Sequence, residues 1–210
     1  FLPAWVTLRP IELAGRGERM GEEFYASFSQ AVEDLFERIC SELSVPYLLL
    51  GNCMGAILCY EIALCMQRHK RPAPGCMVAL GQGAPGRRGE FARLASLSDA
   101  RLIDKVREMG GDPEHRLDDP ELVGFYLPVL RADCRIYDGY LPKKDAKLSC
   151  NIAVVGGQSD PLSSREALEE WRDYTEGAVW VQTLPGGHYF AEEQTSAMID
   201  LVLSLAEKAR

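Results

Sequence analysis

Three residues with complementary chemistry, Cys53, Asp160 and His188, each follow a short apolar run in this sequence. A cysteine thiolate is a strong nucleophile. Histidine accepts and returns protons near neutral pH, and a carboxylate fixes the tautomer of an imidazole and stabilises its charged form. The three residue types therefore predict nucleophilic catalysis by a Cys-His-Asp triad, with nothing in the pattern that calls for a metal ion.

The cysteine lies in the pentapeptide Gly-Asn-Cys-Met-Gly, residues 51–55. This Gly-x-Cys-x-Gly pattern is typical of a nucleophile elbow with cysteine in the place of serine. Gly51 and Gly55 are expected to let the backbone pack tightly around the turn. The side chain of Cys53 would then stand at a helix N-terminus, where the dipole favours a thiolate. A buried structural cysteine is the alternative interpretation of the pentapeptide.

The carboxylate and the histidine also have simpler interpretations. Asp160 follows Gly-Gly-Gln-Ser and could serve only as a turn residue, and His188 follows Pro-Gly-Gly and could be a loop histidine. Their shared placement after strands favours a site, and the order nucleophile, acid, histidine is that of the α/β-hydrolase triad. His69 and His115 lie among charged residues and are expected at the surface.

The elements that position these residues alternate between strands and helices. Apolar runs predict strands over residues 46–50, 76–81, 151–155 and 179–184, and helical spacing predicts helices over 24–43, 56–67, 99–109, 120–131, 166–174 and 196–209. Residues 5–13 are predicted to be extended. Because sites in an open parallel sheet form at the carboxyl ends of its strands, the three residues can converge.

This alternation predicts an α/β fold with a mostly parallel central sheet flanked by helices. Residues 1–210 are expected to form a single domain, with residues 87–147 as a helical insertion because the strand pattern resumes after them. The length is suited to one domain with a sizeable core.

Composition excludes several classes of function. The net charge of −8 argues against non-specific binding to nucleic acid or to an anionic membrane surface. The seven cysteines are odd in number and contain no C-x-x-C pair, which indicates neither a disulfide framework nor a zinc site and favours the reducing cytoplasm. The apolar runs are too short for a membrane span.

A specific resemblance emerges from motifs spread along nearly the whole chain. They are PIELAGRG at 10–17, GxxMGA at 51–56, YEIA at 60–63, AP at 84–85, LPVLRAD at 127–133, GQSD at 157–160, Trp171, and GGHYF at 186–190. With these motifs the chain resembles the type II thioesterases of the α/β-hydrolase superfamily, the stand-alone editing enzymes of nonribosomal peptide and polyketide synthases.

The resemblance implies hydrolysis of acyl thioesters held on the phosphopantetheine arm of acyl or peptidyl carrier proteins. It implies no cofactor of the enzyme's own, and we expect a monomer. The backbone N–H of Met54 corresponds to one oxyanion-hole donor, and residues 87–147 to a helical lid. Phe125, Tyr126 and Leu127 are candidate walls of the acyl chamber, with lid core as the equal alternative.

Three departures from the family pattern bear on activity. Cys53 replaces serine, so the intermediate would be a thioester that amines attack readily; an acyltransferase or cyclase is therefore one alternative. Asn52 replaces histidine beside the nucleophile and is a tentative substrate-binding residue. Phe1 follows the point at which family members have a strand and an oxyanion loop, which we expect to be absent. A non-catalytic module that binds carrier proteins is the second alternative.

Charge offers one further hypothesis about the partner. Carrier proteins are usually acidic, as is this chain, so overall attraction cannot drive docking. Two basic pairs flank the predicted insertion, Arg87-Arg88 and Lys143-Lys144. They could meet an acidic helix of a partner, or could be solvated loop charges.

Overall fold

The fold is built on a parallel sheet. The structure, a computed structural model, describes residues 2–43, 46–87, 93–112, 114–143 and 145–209. Within these ranges four strands form one sheet in the order β1-β2-β3-β4, every pair parallel. The strands are β1 (Leu48–Asn52), β2 (Cys76–Leu80), β3 (Asn151–Gly157) and β4 (Val179–Leu184). The predicted strands and their parallel arrangement are confirmed.

Helices follow the strands along the chain, as predicted. They are α1 (Phe28–Glu42), α2 (Met54–Arg68), α3 (Asp99–Glu108), α4 (Pro120–Asp138), α5 (Arg165–Glu169), α6 (Phe190–Glu193) and α7 (Thr195–Ala209), with 3-10 turns at Gly17–Arg19, Leu94–Ser96, Arg116–Asp118 and Glu170–Tyr174. Helix α4 runs past Arg131, where the prediction ended it, and contains Pro128. Residues 5–13, predicted to be extended, form no regular element, and Trp5 lies in a turn.

The sheet is covered on both faces, because alternate residues of each strand point to opposite sides. In β2, Met77 and Ala79 pack with helices α1 and α2 and with the fully buried Trp171. Val78 and Leu80 pack instead with α6 and α7. A strand buried on both faces is apolar at every position, which is the pattern of the run at 76–80.

Local signals explain where the helices begin. The side chains of Ser27, Ser98, Asp119 and Ser164 each accept a hydrogen bond from a backbone N–H in the first turn of α1, α3, α4 and α5. Helix α2 differs, because its N-cap residue is Cys53 and the cysteine side chain makes no capping bond. The sulfur is therefore not used to hold the helix end.

Helices α3 and α4 lie between β2 and β3, in what we call the β2–β3 segment (residues 93–112 and 114–143). The second half of α4 is anchored, with Ala132, Cys134 and Ile136 buried. Arg16, from the N-terminal loop, donates two hydrogen bonds to the carboxylate of Asp133, at 2.8 and 2.6 Å. Residues 88–92, 113 and 144 of the predicted insertion lie outside the described residues. Across the described ranges, no helix combines the length and apolarity that crossing a membrane requires.

Candidate active site

The turn between β1 and α2 holds Cys53 in an unusual backbone conformation. Its φ is 51° and its ψ is −123°, a combination that residues with a β-carbon rarely adopt. The Cys53 N–H donates to the carbonyl oxygen of Leu80 at 2.9 Å, which ties the turn to the end of β2. This is the geometry of a sharp strand-to-helix turn that presents its central side chain at the edge of the sheet.

The tightness of the turn depends on one of its two glycines. A β-carbon on Gly51 would lie 2.1 Å from the carbonyl oxygen of Gly55, so no side chain fits at position 51. A β-carbon on Gly55 would meet nothing within 4 Å. The expectation that both positions require glycine is therefore right for Gly51 and wrong for Gly55. Gly55 matters to the turn because its backbone carbonyl packs against Gly51.

Asp160 and His188 form a buried pair. Nδ1 of His188 lies 3.0 Å from Oδ2 of Asp160, and the side chains are 5% and 0% exposed. Oδ1 of Asp160 also accepts a hydrogen bond from the N–H of Leu162 at 2.9 Å, which closes a local turn. Asp160 thus shapes its own loop, as the simpler interpretation held, and contacts the histidine with its other oxygen.

Two glycines let the loops after β3 and β4 meet. A β-carbon on Gly157 would lie 2.1 Å from the carbonyl oxygen of Gly187. The N–H of Ser159 donates to the carbonyl oxygen of Gly186 at 3.0 Å. Because the loop that carries His188 rests directly on the end of β3, the imidazole reaches the carboxylate of Asp160.

Ser163 belongs to the site, although the sequence analysis did not select it. Its Oγ donates to Oδ2 of Asp160 at 2.6 Å, and the residue is 1% exposed. A β-carbon on Gly156 would lie 2.6 Å from this Oγ, so the glycine provides the space for the serine. The only signal available in the sequence is the Asp-x-x-Ser spacing, which is common in turns.

The electrostatics of the site centre on His188. Burial lowers the pKa of its imidazole, but hydrogen bonds with the Asp160 carboxylate and the Cys53 sulfur, together with their negative charges, outweigh burial and raise the pKa to about 10. The Asp160 pKa changes in the opposite direction. Burial raises it, and the hydrogen bonds from His188 and Ser163 with the charge of His188 bring it below its ordinary value. At neutral pH the pair is an imidazolium and a carboxylate.

Asn52 and Met54 flank the cysteine at the same edge. A β-carbon on Gly81 would lie 3.2 Å from Oδ1 of Asn52 and 3.5 Å from Cε1 of His188, so both side chains approach the loop after β2. Met54 is the first residue of α2, and its N–H makes no hydrogen bond with the described residues. A free N–H at a helix N-terminus is suited to an anionic oxygen.

The other residues selected from the sequence lie farther out. Phe125 and Tyr126 are 67% and 53% exposed, so the lid-core alternative is wrong for both, while Leu127 is half-buried. Their exposure follows from the first half of α4, which lacks buried residues. His69 and His115 are exposed, as expected.

The two basic pairs are described only in part. Arg87 forms an ion pair with Glu170 at 2.5 Å, while Arg88 and Lys144 lie outside the described residues.

Comparison with known proteins points to one enzyme class. A family model described as a thioesterase domain matches residues 1–205. The gramicidin S biosynthesis protein GrsT of Aneurinibacillus migulanus is 31% identical over 202 residues, 96% of this chain and 79% of that protein.

Solved structures agree with the sequence comparison. The RedJ thioesterase from the prodiginine pathway of Streptomyces coelicolor is 30% identical, with a TM-score of 0.87 over 93% of this chain and 78% of that one. ClbQ from the colibactin NRPS/PKS pathway is 25% identical, with a TM-score of 0.91 over 99% and 88% of the respective chains. The predicted α/β-hydrolase-like fold is confirmed by these likenesses.

Proposed function

The chain belongs to the thioesterase domain family, and on that premise we propose that it hydrolyses acyl groups from the phosphopantetheine arm of acyl or peptidyl carrier proteins. It is a thioesterase related to the type II thioesterases of nonribosomal peptide and polyketide pathways. The proposed biological role is editing, in which the enzyme clears stalled or wrongly primed carrier domains.

One observation carries the proposal to particular residues. Nδ1 of His188 lies 3.0 Å from the buried carboxylate of Asp160, and the Cys53 sulfur in the strained turn helps to raise the pKa of the same imidazole. An imidazolium beside a cysteine favours the thiolate, which is the attacking species. The arrangement supports Cys53 as nucleophile, His188 as acid and base, and Asp160 as the group that orients His188.

The chemistry then proceeds in two steps. The Cys53 thiolate attacks the thioester carbonyl and forms a new C–S bond, while the N–H of Met54 donates to the developing oxyanion. The C–S bond to phosphopantetheine breaks, and the proton of His188 passes to the departing thiolate. Water then gives a proton to His188 as it attacks the acyl-Cys53 carbonyl, which releases the free acid and restores the thiolate and the imidazolium.

The remaining parts of the proposal concern the surroundings of the site. We propose that the β2–β3 segment is the lid, and that Asn52, Phe125, Tyr126 and Leu127 contact the acyl thioester or its carrier at the entrance. The exposed aromatic rings of Phe125 and Tyr126 suit transient contact with an apolar acyl chain. All seven cysteines are free thiols, which suits the proposed location in the reducing cytoplasm.

The test is incubation of the protein with an acyl-pantetheine thioester, followed by mass measurement of the Cys53 peptide and of the products. A transient acyl adduct on Cys53 that resolves to free acid is the expected result. The control is Cys53→Ala, which removes the nucleophile. The same incubation with an acyl-loaded carrier protein tests the proposed partner, because a carrier substrate should react at lower concentration than the free arm.

Acyl transfer is the second candidate, and the cysteine itself favours it. A thioester intermediate at Cys53 is close in energy to the thioester substrate and is open to attack by an amine. A competition between water and a primary amine distinguishes the two reactions. An adduct that resolves only when the amine is present would show that the protein transfers acyl groups and does not hydrolyse them. If no adduct forms, the protein would be a module that binds carrier proteins without turnover.

A further inference from the structure

Tyr189 connects the histidine of the site with the β2–β3 segment. Its ring packs edge-on against the imidazole of His188, with centroids 5.5 Å apart and an angle of 88° between the planes. Tyr189 is also the N-cap residue of α6 and makes no capping bond with its side chain. The tyrosine ring is therefore positioned by packing against residues such as His188 and not by a capping hydrogen bond.

The hydroxyl end of Tyr189 fits a space left by a glycine. A β-carbon on Gly111 would lie 2.4 Å from Oη of Tyr189 and 2.8 Å from its Cζ, as well as 2.8 Å from Cγ1 of Val106. Gly111 belongs to the turn that ends α3, where Gly110 has a φ of +87°. The β2–β3 segment thus rests on the tyrosine that contacts His188.

A second contact joins the same turn to the loop of the histidine. A β-carbon on Gly187 would lie 4.0 Å from the carbonyl oxygen of Met109. The end of α3 therefore lies near the backbone of the His188 loop, and the Tyr189 side chain makes the closer approach at Gly111. A shift of this turn would reach the imidazole through the ring that lies between them.

Charged and titratable groups border this contact on both sides. His188 is approached by Asp160 and Cys53, and Tyr189 by Cys53 and Glu192. Burial raises the pKa of the Tyr189 phenol, and the charges of Cys53 and Glu192 raise it further. Tyr189 therefore stays neutral at the pH at which His188 works, and acts on the imidazole through packing.

From these contacts we infer that Tyr189 is a positioning residue, through which the turn at Gly111 holds the ring of His188 in place between Asp160 and Cys53. The inference rests on the proposed function for the reaction that His188 serves. The contact itself requires no substrate, so it can be tested without one.

The experiment is alkylation of Cys53 by iodoacetamide as a function of pH, followed by mass measurement of the peptide that contains Cys53. In Gly111→Ala the new β-carbon displaces Tyr189 and weakens the hold on His188. The alkylation rate near neutral pH is expected to fall about tenfold, because an imidazolium that no longer faces the sulfur stops favouring the reactive thiolate. Tyr189→Phe alone keeps the ring against His188 and should retain the wild-type alkylation profile.

The matched control is Gly21→Ala, outside the β2–β3 segment, where a β-carbon meets nothing within 4 Å. It should leave the alkylation profile and the thioesterase rate unchanged. If Gly111→Ala does not fold, as judged by circular dichroism, Tyr189→Leu takes its place, because it removes the ring from His188 and should move the profile in the same direction.

Two outcomes overturn the inference: a profile that neither Gly111→Ala nor Tyr189→Leu moves, or one that Tyr189→Phe moves as far as Tyr189→Leu does. The alkylation test stands apart from the proposed function. Wild-type protein that fails to release acid from an acyl-pantetheine would defeat the proposed function and leave the alkylation results valid.

Discussion

The backbone of Gly187 lies against Gly157 so closely that a single β-carbon on Gly157 would stand 2.1 Å from the Gly187 carbonyl oxygen. This contact brings the loops that carry Asp160 and His188 together. Gly157→Ala is expected to push the loops apart, with a loss of roughly 1–3 kcal/mol in unfolding free energy, as for other overpacked sites, and about a hundredfold in turnover.

Chemical denaturation and thioesterase kinetics measure the two effects of Gly157→Ala. Gly21→Ala is the control, because a β-carbon at position 21 meets nothing within 4 Å. Wild-type turnover in Gly157→Ala would show that the loops tolerate separation.

Ser163→Ala removes the shortest hydrogen bond to the catalytic carboxylate candidate. Because that bond lowers the pKa of Asp160, its loss should raise the Asp160 pKa and move the acid limb of the pH–activity profile to higher pH. Unfolding free energy should fall by roughly 1.5–3 kcal/mol, the range for a hydrogen bond to a charged group. Ser159→Ala, at an exposed neighbour, serves as the control. An acid limb that stays in place in Ser163→Ala would contradict this role.

Cys53→Ser should lower the pKa of His188. The Asp160 carboxylate and the cysteine sulfur together raise that pKa to about 10, and serine lacks the contribution of the sulfur. Titration of the imidazole resonances by NMR measures the change directly, with His69 and His115 as internal references at exposed positions. A His188 resonance that titrates identically in both proteins would show that the sulfur does not act on the ring.

The same pKa shifts predict how stability depends on pH. The folded-state pKa of His188 lies above its unfolded value, so its contribution is complete below about pH 6.5 and is lost as pH rises toward about 10. The Asp160 pKa is lowered, so its contribution is present above its ordinary value and disappears as pH falls through the folded-state value.

Denaturation of wild type and His188→Gln across this pH range isolates the histidine. The difference between their unfolding free energies should shrink by roughly 2–4 kcal/mol between neutral and alkaline pH. A constant difference would indicate that His188 has the same pKa in the folded and unfolded chain.

Arg16 and Asp133 should be energetically coupled. Their two hydrogen bonds join the N-terminal loop to α4, with both side chains about a quarter exposed. After allowance for that exposure, a double-mutant cycle with Arg16→Ala and Asp133→Ala should give about 1 kcal/mol of coupling. The exposed pair Arg101 and Asp104 in α3 is the comparison and should give none that is measurable. Equal coupling free energies for the two pairs would show that Arg16 does not anchor the N-terminal loop to α4.

The strands and most helices were predictable from local patterns. The run at 76–80 is apolar at every position because both faces of β2 are covered, and the helical stripe of α1 packs in the core beside α2. Helix α4 was predicted too short, because the charged residues after Arg131 interrupt the apolar pattern. Tertiary packing of Cys134 and Ile136 extends the helix to Asp138.

The meeting of Asp160 and His188 was predictable because strand ends share an edge, a rule of topology that needs no atomic detail. Ser163, the contact of Gly157 with Gly187, and the fit of Tyr189 at Gly111 were not. Each depends on the distance in space between segments of the chain, and that distance cannot be inferred from composition or periodicity. Likewise, Arg16 and Asp133 lie in two quoted motifs, but nothing local to either motif says that they pair.

The backbone at Cys53 has a consequence for heat resistance. A residue with a β-carbon held at a φ of 51° and a ψ of −123° costs on the order of 1–3 kcal/mol, and glycine would relieve most of it. A library randomised at position 53 and screened for melting temperature alone should therefore enrich glycine, yielding a more stable protein that lacks the proposed nucleophile. Laboratory evolution toward thermal tolerance would have to keep a catalytic screen in every round.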